Sequence, residues 1–229
     1  KYFTMNKRLS LFGIGLVFLC VFYFFSREVK RGFLKQADFA TTVKIQEKID
    51  TSSRLRLTYV VGEVMEGSTF FASPEVSVVI IILLFSYAAA CSKNKNNIVR
   101  AFVIPILFGL LVLGEIYGKN VVHHPAPPFF MIKNPTTIFP KYYINEQYSY
   151  PSGHAARAVF LSLVLFSLLR KRLRIGISLG LFVVIVALGR IYLGHHWLSD
   201  IMGGGLLGLG CALLGVVPLL PAQKTAAHR

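Results

Sequence analysis

Long unbroken runs of apolar residues constrain this chain more than any other feature of its sequence. Each run is long enough to cross a lipid bilayer, which takes roughly 20 residues per helical crossing. Lipid cannot hydrogen-bond bare backbone groups, so a spanning segment is either a helix or part of a closed barrel. The runs are continuous rather than alternating in polarity, which indicates helices. We therefore predict six spans, near residues 9–26, 74–92, 100–118, 153–170, 175–190 and 200–220.

The basic character of the chain fits a membrane protein better than a nucleic-acid-binding protein. Hydrophobic residues make up 54% of the sequence and charged residues 15%, which is typical of membrane proteins. The formal net charge is +15, but the basic residues are scattered between apolar runs rather than gathered on one face. In those positions they flank membrane helices and meet anionic lipid head groups. We expect the lipid bilayer, and no nucleic acid, as a partner.

The chain has the organisation of one membrane domain. We expect an all-α fold over residues 1–229, an integral membrane six-helix bundle whose motif-bearing core spans about 74–220. Residues 27–73 mix basic and apolar residues, which predicts amphipathic surface helices between the first and second spans. Glycines on the last span predict close helix contact; they are Gly203, Gly204, Gly205, Gly208 and Gly210.

Charge in the short loops predicts the orientation of the bundle. With six spans both termini lie on one side, which also collects two basic loops, at residues 93–100 and 170–174. The positive-inside rule makes that side cytoplasmic, although the basic segment 27–56 falls on the other side and argues against it. Aromatic residues expected in the interfacial belt are Trp197, Tyr142, Tyr143, Tyr148 and Tyr150.

Polar residues gather at the ends of the predicted spans, where their cost at a membrane edge usually marks function. Lys119 closes the third span, and His154 opens the fourth within the run Pro-Ser-Gly-His. The segment from Arg190 to Asp200 links the fifth span to the sixth and contains His196. In the six-span layout all of these residues fall on one non-cytoplasmic surface, next to the lipid head groups.

These side chains are the groups that phosphoryl transfer requires. The reaction needs positive charge and donors around the equatorial oxygens, a nucleophile in line and an acid for the leaving oxygen. Arg190 is a forked donor suited to phosphate, and Lys119 is a point charge. Ser152 and the Gly153 amide lie at the start of a predicted helix, where backbone N–H groups favour an anion.

His196 is the better candidate for the nucleophile, because Asp200 lies one helical turn on and can fix its tautomer. His154 has no carboxylate nearby in sequence, so we assign it as the general acid. Either histidine alone would more often be a polar interface residue, and the combination with Arg190 favours a phosphate site. No carboxylate cluster or Cys/His set with metal spacing accompanies these residues, so we expect no metal and no other cofactor.

Three motifs give the chain its resemblance to a known family. It resembles membrane members of the type-2 phosphatidic acid phosphatase superfamily, which also contains glucose-6-phosphatase and the vanadium haloperoxidases. The family motif P-S-G-H is intact at residues 151–154. The motif S-R-x5-H-x3-D matches at Arg190, His196 and Asp200, with Gly189 in place of serine, and its spacing selects His196 over the adjacent histidine.

The remaining motif, K-x6-R-P, is incomplete in this chain. It begins at Lys119 and ends at Pro127, but Ala126 occupies the arginine position. Three interpretations are open: a natural variant, an engineered inactive form or a weakly catalytic relative. The side chains that can supply the missing charge are His123, His124 and Arg157. For Arg157 we weigh a phosphate contact equally against a side chain that extends to the outer membrane interface.

The resemblance implies a metal-independent phosphatase that works through a phosphohistidine. His196 would be the nucleophile, Asp200 its orienting partner and His154 the acid, while Lys119, Ser152, Gly153 and Arg190 would bind phosphate. We expect an integral protein of a bacterial inner membrane with a periplasmic site for an amphiphile. The substrate candidates are undecaprenyl diphosphate, phosphatidylglycerol phosphate, phosphatidic acid and the phosphate of lipid A. The alternatives are a lipid phosphotransferase and a non-enzymatic lipid-binding or transport protein.

Restoring the family arginine at position 126 tests the importance of the incomplete K-x6-R-P motif. We expect Ala126→Arg to raise catalytic efficiency about tenfold, because one charge-assisted phosphate contact of ~1.4 kcal/mol is regained in the transition state. The measurement is phosphate release by both forms from one lipid phosphate, with folding checked by thermal melting. An equal or slower rate from a well-folded arginine form would contradict the expectation and show that the chain is adapted to alanine.

Overall fold

The computed structural model describes residues 2–51, 55–90, 101–136, 147–169 and 172–219, most of which are helical. The described residues form eight α-helices and no strand, with one isolated β-bridge between Pro125 and Tyr148. The helices are α1 (Tyr2–Lys30), α2 (Lys35–Asp50), α3 (Leu55–Phe71), α4 (Pro74–Ala90), α5 (Val103–Val122), α6 (Gly153–Leu168), α7 (Leu173–Tyr192) and α8 (Leu198–Leu219). The predicted all-α class is confirmed.

Four helices are long and apolar enough to cross a membrane, which supports an integral membrane protein. They are the Leu9–Lys30 part of α1, the whole of α5 and α7, and the Leu198–Gly215 part of α8. The pair α3 and α4 bends by 54° and adds a fifth span if the two helices cross as one. Helix α6 is apolar but has only 16 residues. The six-helix count therefore stays a prediction.

The helix boundaries lie close to those expected from the apolar runs. Helix α4 begins at Pro74 and α6 at Gly153, as predicted. Helix α5 continues to Val122, so Lys119 lies inside its last turn. Five of the basic residues on which the predicted orientation depends lie outside the described residues; they are Lys93, Lys95, Arg100, Arg170 and Lys171.

Helices α6 and α8 form the centre of the bundle, and α8 packs on its other side against α1. Glycines allow the close approach, because a Cβ at Gly204 would collide with the carbonyl oxygen of Ser152. A Cβ at Gly208 would lie 2.5 Å from the carbonyl oxygen of Ala156. A Cβ at Gly210 would meet the Leu19 side chain of α1 at 2.6 Å and the Gly15 carbonyl oxygen at 3.2 Å. A Cβ at Gly205 would meet nothing within 4 Å, so this glycine does not contribute to the contact.

The segment between the first two long apolar helices packs onto the end of the bundle through polar groups. The residues that α2 buries are Asp38 and Thr42, whereas its Phe39 is 52% exposed. Farther along α2, the Gln46 side-chain amide donates to the carbonyl oxygens of Met131 and Tyr192, at 2.8 and 2.9 Å. Amphipathic surface helices in this segment stay a prediction, but α2 presents a polar face to the protein. This face brings a carboxylate to the start of α8.

The prediction that Tyr150 belongs to an interfacial aromatic belt is wrong. Its side chain is fully buried, stacks on Phe22 of α1 and shares a 2.8 Å hydrogen bond with the Ser26 hydroxyl. Gly203 of α8 leaves room for its ring. Tyr150 therefore anchors the segment before α6 inside the bundle, while Tyr142 and Tyr143 lie outside the described residues.

The contact between α6 and α8 predicts that alanine substitution at two nearby glycines has different effects on stability. We expect Gly208→Ala to lower the unfolding free energy by about 1–3 kcal/mol, because the added methyl group overpacks against the α6 backbone. Gly205→Ala is the matched control, since open space surrounds that position. Thermal melting of both variants in detergent checks this. Equal melting temperatures would contradict the close approach.

Candidate active site

The buried carboxylate of Asp200 is the centre of the candidate site. Asp200 lies in the first turn of α8 and is fully buried. Its Oδ2 accepts a 2.8 Å hydrogen bond from the backbone N–H of Trp197 and lies 3.5 Å from Nδ1 of His196. The start of a helix favours negative charge. The sequence spacing thus places this carboxylate beside the proposed nucleophile.

A sharp turn after α7 positions His196. Gly194 has a φ of +72°, and a Cβ there would collide with the carbonyl group of Met131. The backbone N–H groups of His195 and His196 then both donate to the carbonyl oxygen of Arg190, at 3.1 and 3.2 Å. The last turn of α7 therefore fixes Arg190 and both histidines as one unit.

The two adjacent histidines have different environments. His196 faces Asp200, whereas Nε2 of His195 lies 2.7 Å from the carbonyl oxygen of Asn134. Burial, followed by the nearby Arg190 guanidinium, lowers the pKa of His195 to about 2. His195 is therefore neutral near neutral pH, and its Nε2–H donates to Asn134. This hydrogen bond supports the loop of residues 131–136.

The Pro-Ser-Gly-His run joins the start of α6 to the start of α8. Ser152 caps α6, with its hydroxyl accepting from the Ala155 backbone N–H at 3.4 Å. The Ser152 N–H donates to the carbonyl oxygen of Asp200 at 2.9 Å. His154, in the first turn of α6, lies within electrostatic range of Arg190 and His196. The P-S-G-H motif and the motif from Arg190 to Asp200 therefore meet in one place.

An ion pair between a buried arginine and a partly buried glutamate lies beside the Pro-Ser-Gly-His run. Arg157 is 4% exposed, its Nη1 donates to Oε2 of Glu115 at 2.7 Å, and its Nε donates to the carbonyl oxygen of Ala72 at 2.9 Å. The alternative in which Arg157 extends to the membrane interface is therefore wrong. Lys119 lies 3.9 Å from Oε1 of the same glutamate. A Cβ at Gly153 would collide with this carboxylate, so Glu115 lies directly against the helix start.

The two histidines that could replace the charge of the missing arginine lie in different environments. His124 is buried, and its Nδ1 lies 2.9 Å from Oδ1 of Asp200. His123 is exposed, has a φ of +53° and packs against the ring of Tyr148 at a centroid distance of 4.7 Å. Ala126 is partly buried, and its backbone N–H donates to Gln147. Of the adjacent histidines 123 and 124, only His124 reaches the site.

Asp38 is a site residue that the sequence analysis did not identify. Its two carboxylate oxygens accept from the backbone N–H and the hydroxyl of Ser199, both at 2.8 Å, and Oδ2 lies 3.8 Å from Nε2 of His124. Burial raises the pKa of Asp38, and the two Ser199 bonds oppose that rise. Asp38 lies in a basic segment far from every motif. Asp38 lies in the first turn of α2, where a negative charge is favoured, and this is the one feature that could have indicated a structural role.

The described residues contain no group of three or more His, Cys, Asp and Glu side chains arranged to hold a metal ion. The arrangement instead combines an imidazole held by a carboxylate, a second imidazole, and the cations Arg190 and Lys119. Such a set can attack an electrophilic centre from His196 and protonate a leaving group from His154. The cations and the α6 start can stabilise negative charge on the group under attack.

Comparisons with known proteins agree on one family. The model of the PAP2 superfamily matches residues 103–221, just over half of the chain. The chain is 36% identical over 126 residues to undecaprenyl-diphosphatase of Sulfolobus acidocaldarius, covering 54% of each protein. It is 36% identical over 156 residues to phosphatidylglycerophosphatase B of Bacillus subtilis, covering 65% of this chain and 70% of that protein. The matched part thus spans about half the length of the first relative.

A solved structure has the same fold. It is the crystal structure of a transmembrane PAP2-type phosphatidylglycerolphosphate phosphatase from Bacillus subtilis, with a TM-score of 0.63 at 19% sequence identity. The similarity covers 88% of this chain and 93% of that structure, so it includes helices that precede the family-model region.

The Arg157–Glu115 pair predicts that replacing Arg157 destabilises the protein much more than replacing an exposed arginine. We expect Arg157→Met to lower the unfolding free energy by about 3–5 kcal/mol, because the largely buried Glu115 carboxylate then loses its nearest cation. Arg31→Met is the control: Arg31 is 62% exposed in its pair with Glu28, and such pairs contribute about 0–1 kcal/mol. Thermal melting in detergent compares them, and adding Glu115→Leu to Arg157→Met should restore part of the loss. Similar melting temperatures for the two single variants would disprove the structural role of the buried pair.

Proposed function

The chain belongs to the PAP2 superfamily, and on this premise we propose that it is an integral membrane phosphatase that removes phosphate from a lipid phosphate or diphosphate. The family-model region includes every motif residue from Lys119 to Asp200. The two relatives described above are named for lipid phosphates or diphosphates, which supports that substrate class. We further propose that residues 1–229 act as one membrane domain with six spans and a motif-bearing core at about 74–220.

The contact between His196 and Asp200 carries the mechanistic part of the proposal. With Asp200 facing Nδ1, the imidazole is oriented so that Nε2 can attack phosphorus. The bond from phosphorus to the leaving oxygen breaks, and that oxygen takes a proton from His154. Water then gives a proton to His154 while its oxygen attacks phosphorus. The phosphorus–nitrogen bond breaks, phosphate leaves and His196 is regenerated.

The phosphate oxygens are bound by groups from several helix ends. Arg190 provides a forked cation and Lys119 a point charge. Ser152 and Gly153 provide the start of α6, where backbone N–H groups and the helix dipole favour an anion. These donors are fixed before the substrate arrives, because helix packing holds them in position. Such preorganised charge is usually the largest contribution to transition-state stabilisation.

The position of the site favours an amphiphilic substrate. Its residues lie at the end of α5, the start of α6, the end of α7 and the start of α8, which is one end of the bundle. A lipid can keep its tail in the bilayer while its phosphate reaches this end. We propose a bacterial inner membrane with this end facing the periplasm. Undecaprenyl diphosphate, phosphatidylglycerol phosphate, phosphatidic acid and lipid A phosphate are the substrates to compare.

Phosphate release from a panel of these lipids tests the proposal, with and without an added alcohol acceptor. Release of inorganic phosphate alone supports the phosphatase. Transfer of phosphate to the alcohol would favour a phosphotransferase that uses the same histidines. Ala126 is the observation that favours the non-enzymatic alternative, because one family cation is missing. If the protein binds these lipids but shows neither turnover nor a phosphoenzyme, the non-enzymatic alternative is established.

The nucleophile has a direct test. We expect His196→Ala to lower turnover by roughly 10³-fold or more and to abolish an acid-labile phosphoenzyme, because the imidazole that we propose forms the phosphorus–nitrogen bond is removed. His123→Ala is the control, since that exposed ring packs on Tyr148 outside the site. Rapid acid-free quenching and mass spectrometry locate the phosphate. A phosphoenzyme that persists in the His196 variant would reassign the nucleophile.

A further inference from the structure

His124 lies between two buried carboxylates that belong to different helices. Its Nδ1 is 2.9 Å from Oδ1 of Asp200 on α8, and its Nε2 is 3.8 Å from Oδ2 of Asp38 on α2. All three side chains are at most 5% exposed. The Nδ1–H of the imidazole therefore donates to Asp200, and the opposite ring edge faces the negative charge of Asp38.

The backbone around His124 is fixed from two sides. Its carbonyl oxygen accepts from the Ser149 N–H at 3.0 Å. The next carbonyl, that of Pro125, accepts from the indole N–H of Trp197 at 2.7 Å. The His124 ring is thus held by the segment before α6 and by the turn before α8. A side chain held in this way is suited to orienting a partner.

Asp200 requires such a partner for a physical reason. A fully buried carboxylate is stable only when both oxygens receive hydrogen bonds or positive charge. Oδ2 accepts from the Trp197 N–H and lies 3.5 Å from His196, whereas Oδ1 faces His124. Without a donor at Oδ1, the carboxylate is free to rotate toward other donors and lose its alignment with His196.

Asp38 supports this arrangement from outside the family-model region. It binds both the backbone N–H and the hydroxyl of Ser199, the residue before Asp200. Its position on α2 precedes the region of residues 103–221 that the family model matches. One carboxylate therefore holds the start of α8 and also provides the negative charge that faces the free edge of His124.

We propose that His124, held between Asp38 and Asp200, is a positioning residue that aligns the Asp200 carboxylate with His196. This assignment rests on the proposed phosphatase function. It also separates His124 from the role of a substitute phosphate ligand for the missing arginine at position 126. The imidazole acts on Asp200 rather than on the substrate.

Two conservative substitutions distinguish the two ring edges. In His124→Asn the side-chain amide nitrogen takes the place of Nδ1 and can still donate to Asp200. In His124→Gln it takes the place of Nε2, so it reaches toward Asp38 and leaves Oδ1 of Asp200 without its donor. The Gln variant therefore loses a hydrogen bond to a charged group. Because of this loss we expect its kcat to fall about 10- to 100-fold, while its KM changes less than about threefold. The Asn variant should keep most of kcat.

Asp38→Asn and Asp50→Asn form a matched pair on α2. Asp50 pairs with Lys133 and accepts from the Tyr192 hydroxyl, so it holds the far end of the helix away from His124. We expect Asp38→Asn to lower kcat and Asp50→Asn to leave it within about twofold. Thermal melting in detergent accompanies each rate. Rates that simply follow melting temperature, or equal rates for the Asn and Gln variants at position 124, overturn the assignment.

Orthovanadate binding separates failure of this inference from failure of the proposed function. Vanadate can bond to His196 without any turnover, so its affinity reports the alignment of that imidazole directly. We expect the Gln variant to bind vanadate about 10- to 100-fold more weakly than the Asn variant. If the parent protein releases no phosphate from any lipid, the phosphatase proposal fails, whereas equal vanadate affinity of the two variants overturns the positioning role.

Discussion

Burial of the Asp200 carboxylate is the constraint on which the rest of the site depends. A charge removed from water must be compensated by donors in a good geometry. Those donors come from separate parts of the chain, the His124 ring and the Trp197 backbone, and Nδ1 of His196 lies 3.5 Å from Oδ2. The Asp200 carbonyl also receives the Ser152 N–H. One residue therefore ties the loop after α5, the start of α6 and the start of α8 into a single unit.

Helix packing determines how closely these parts approach each other. Gly204 and Gly208 let the α8 backbone lie against the α6 backbone, directly below the Ser152 and Asp200 contact. In a lipid environment such small-residue contacts replace the hydrophobic driving force that water would supply. The distance between the P-S-G-H motif and the motif from Arg190 to Asp200 is thus set by residues that have no chemical role. Packing residues thus hold the geometry of the site without taking part in its chemistry.

The helices before the family-model region contribute to the same end of the bundle. Helix α2 docks through polar side chains, with Asp38 on Ser199 and Gln46 on the loop near Met131. The turn between α3 and α4 provides the Ala72 carbonyl oxygen to Arg157. The Asp38 and Ala72 contacts hold Ser199 and Arg157, which lie near motif residues, rather than the motif residues themselves. The N-terminal third is therefore part of the site architecture and not only a membrane anchor.

The sequence by itself determined the helical class, the positions of the long apolar helices and the spacing that pairs His196 with Asp200. These features depend on local composition and on the helical repeat, which a single segment carries within itself. Only the tertiary structure decided that His124 faces Asp200 while His123 does not, that Arg157 is buried against Glu115, and that Asp38 reaches the start of α8. The physical reason is that each of these contacts joins residues far apart in the chain. Their partners follow from how the helices pack, and no local periodicity encodes them.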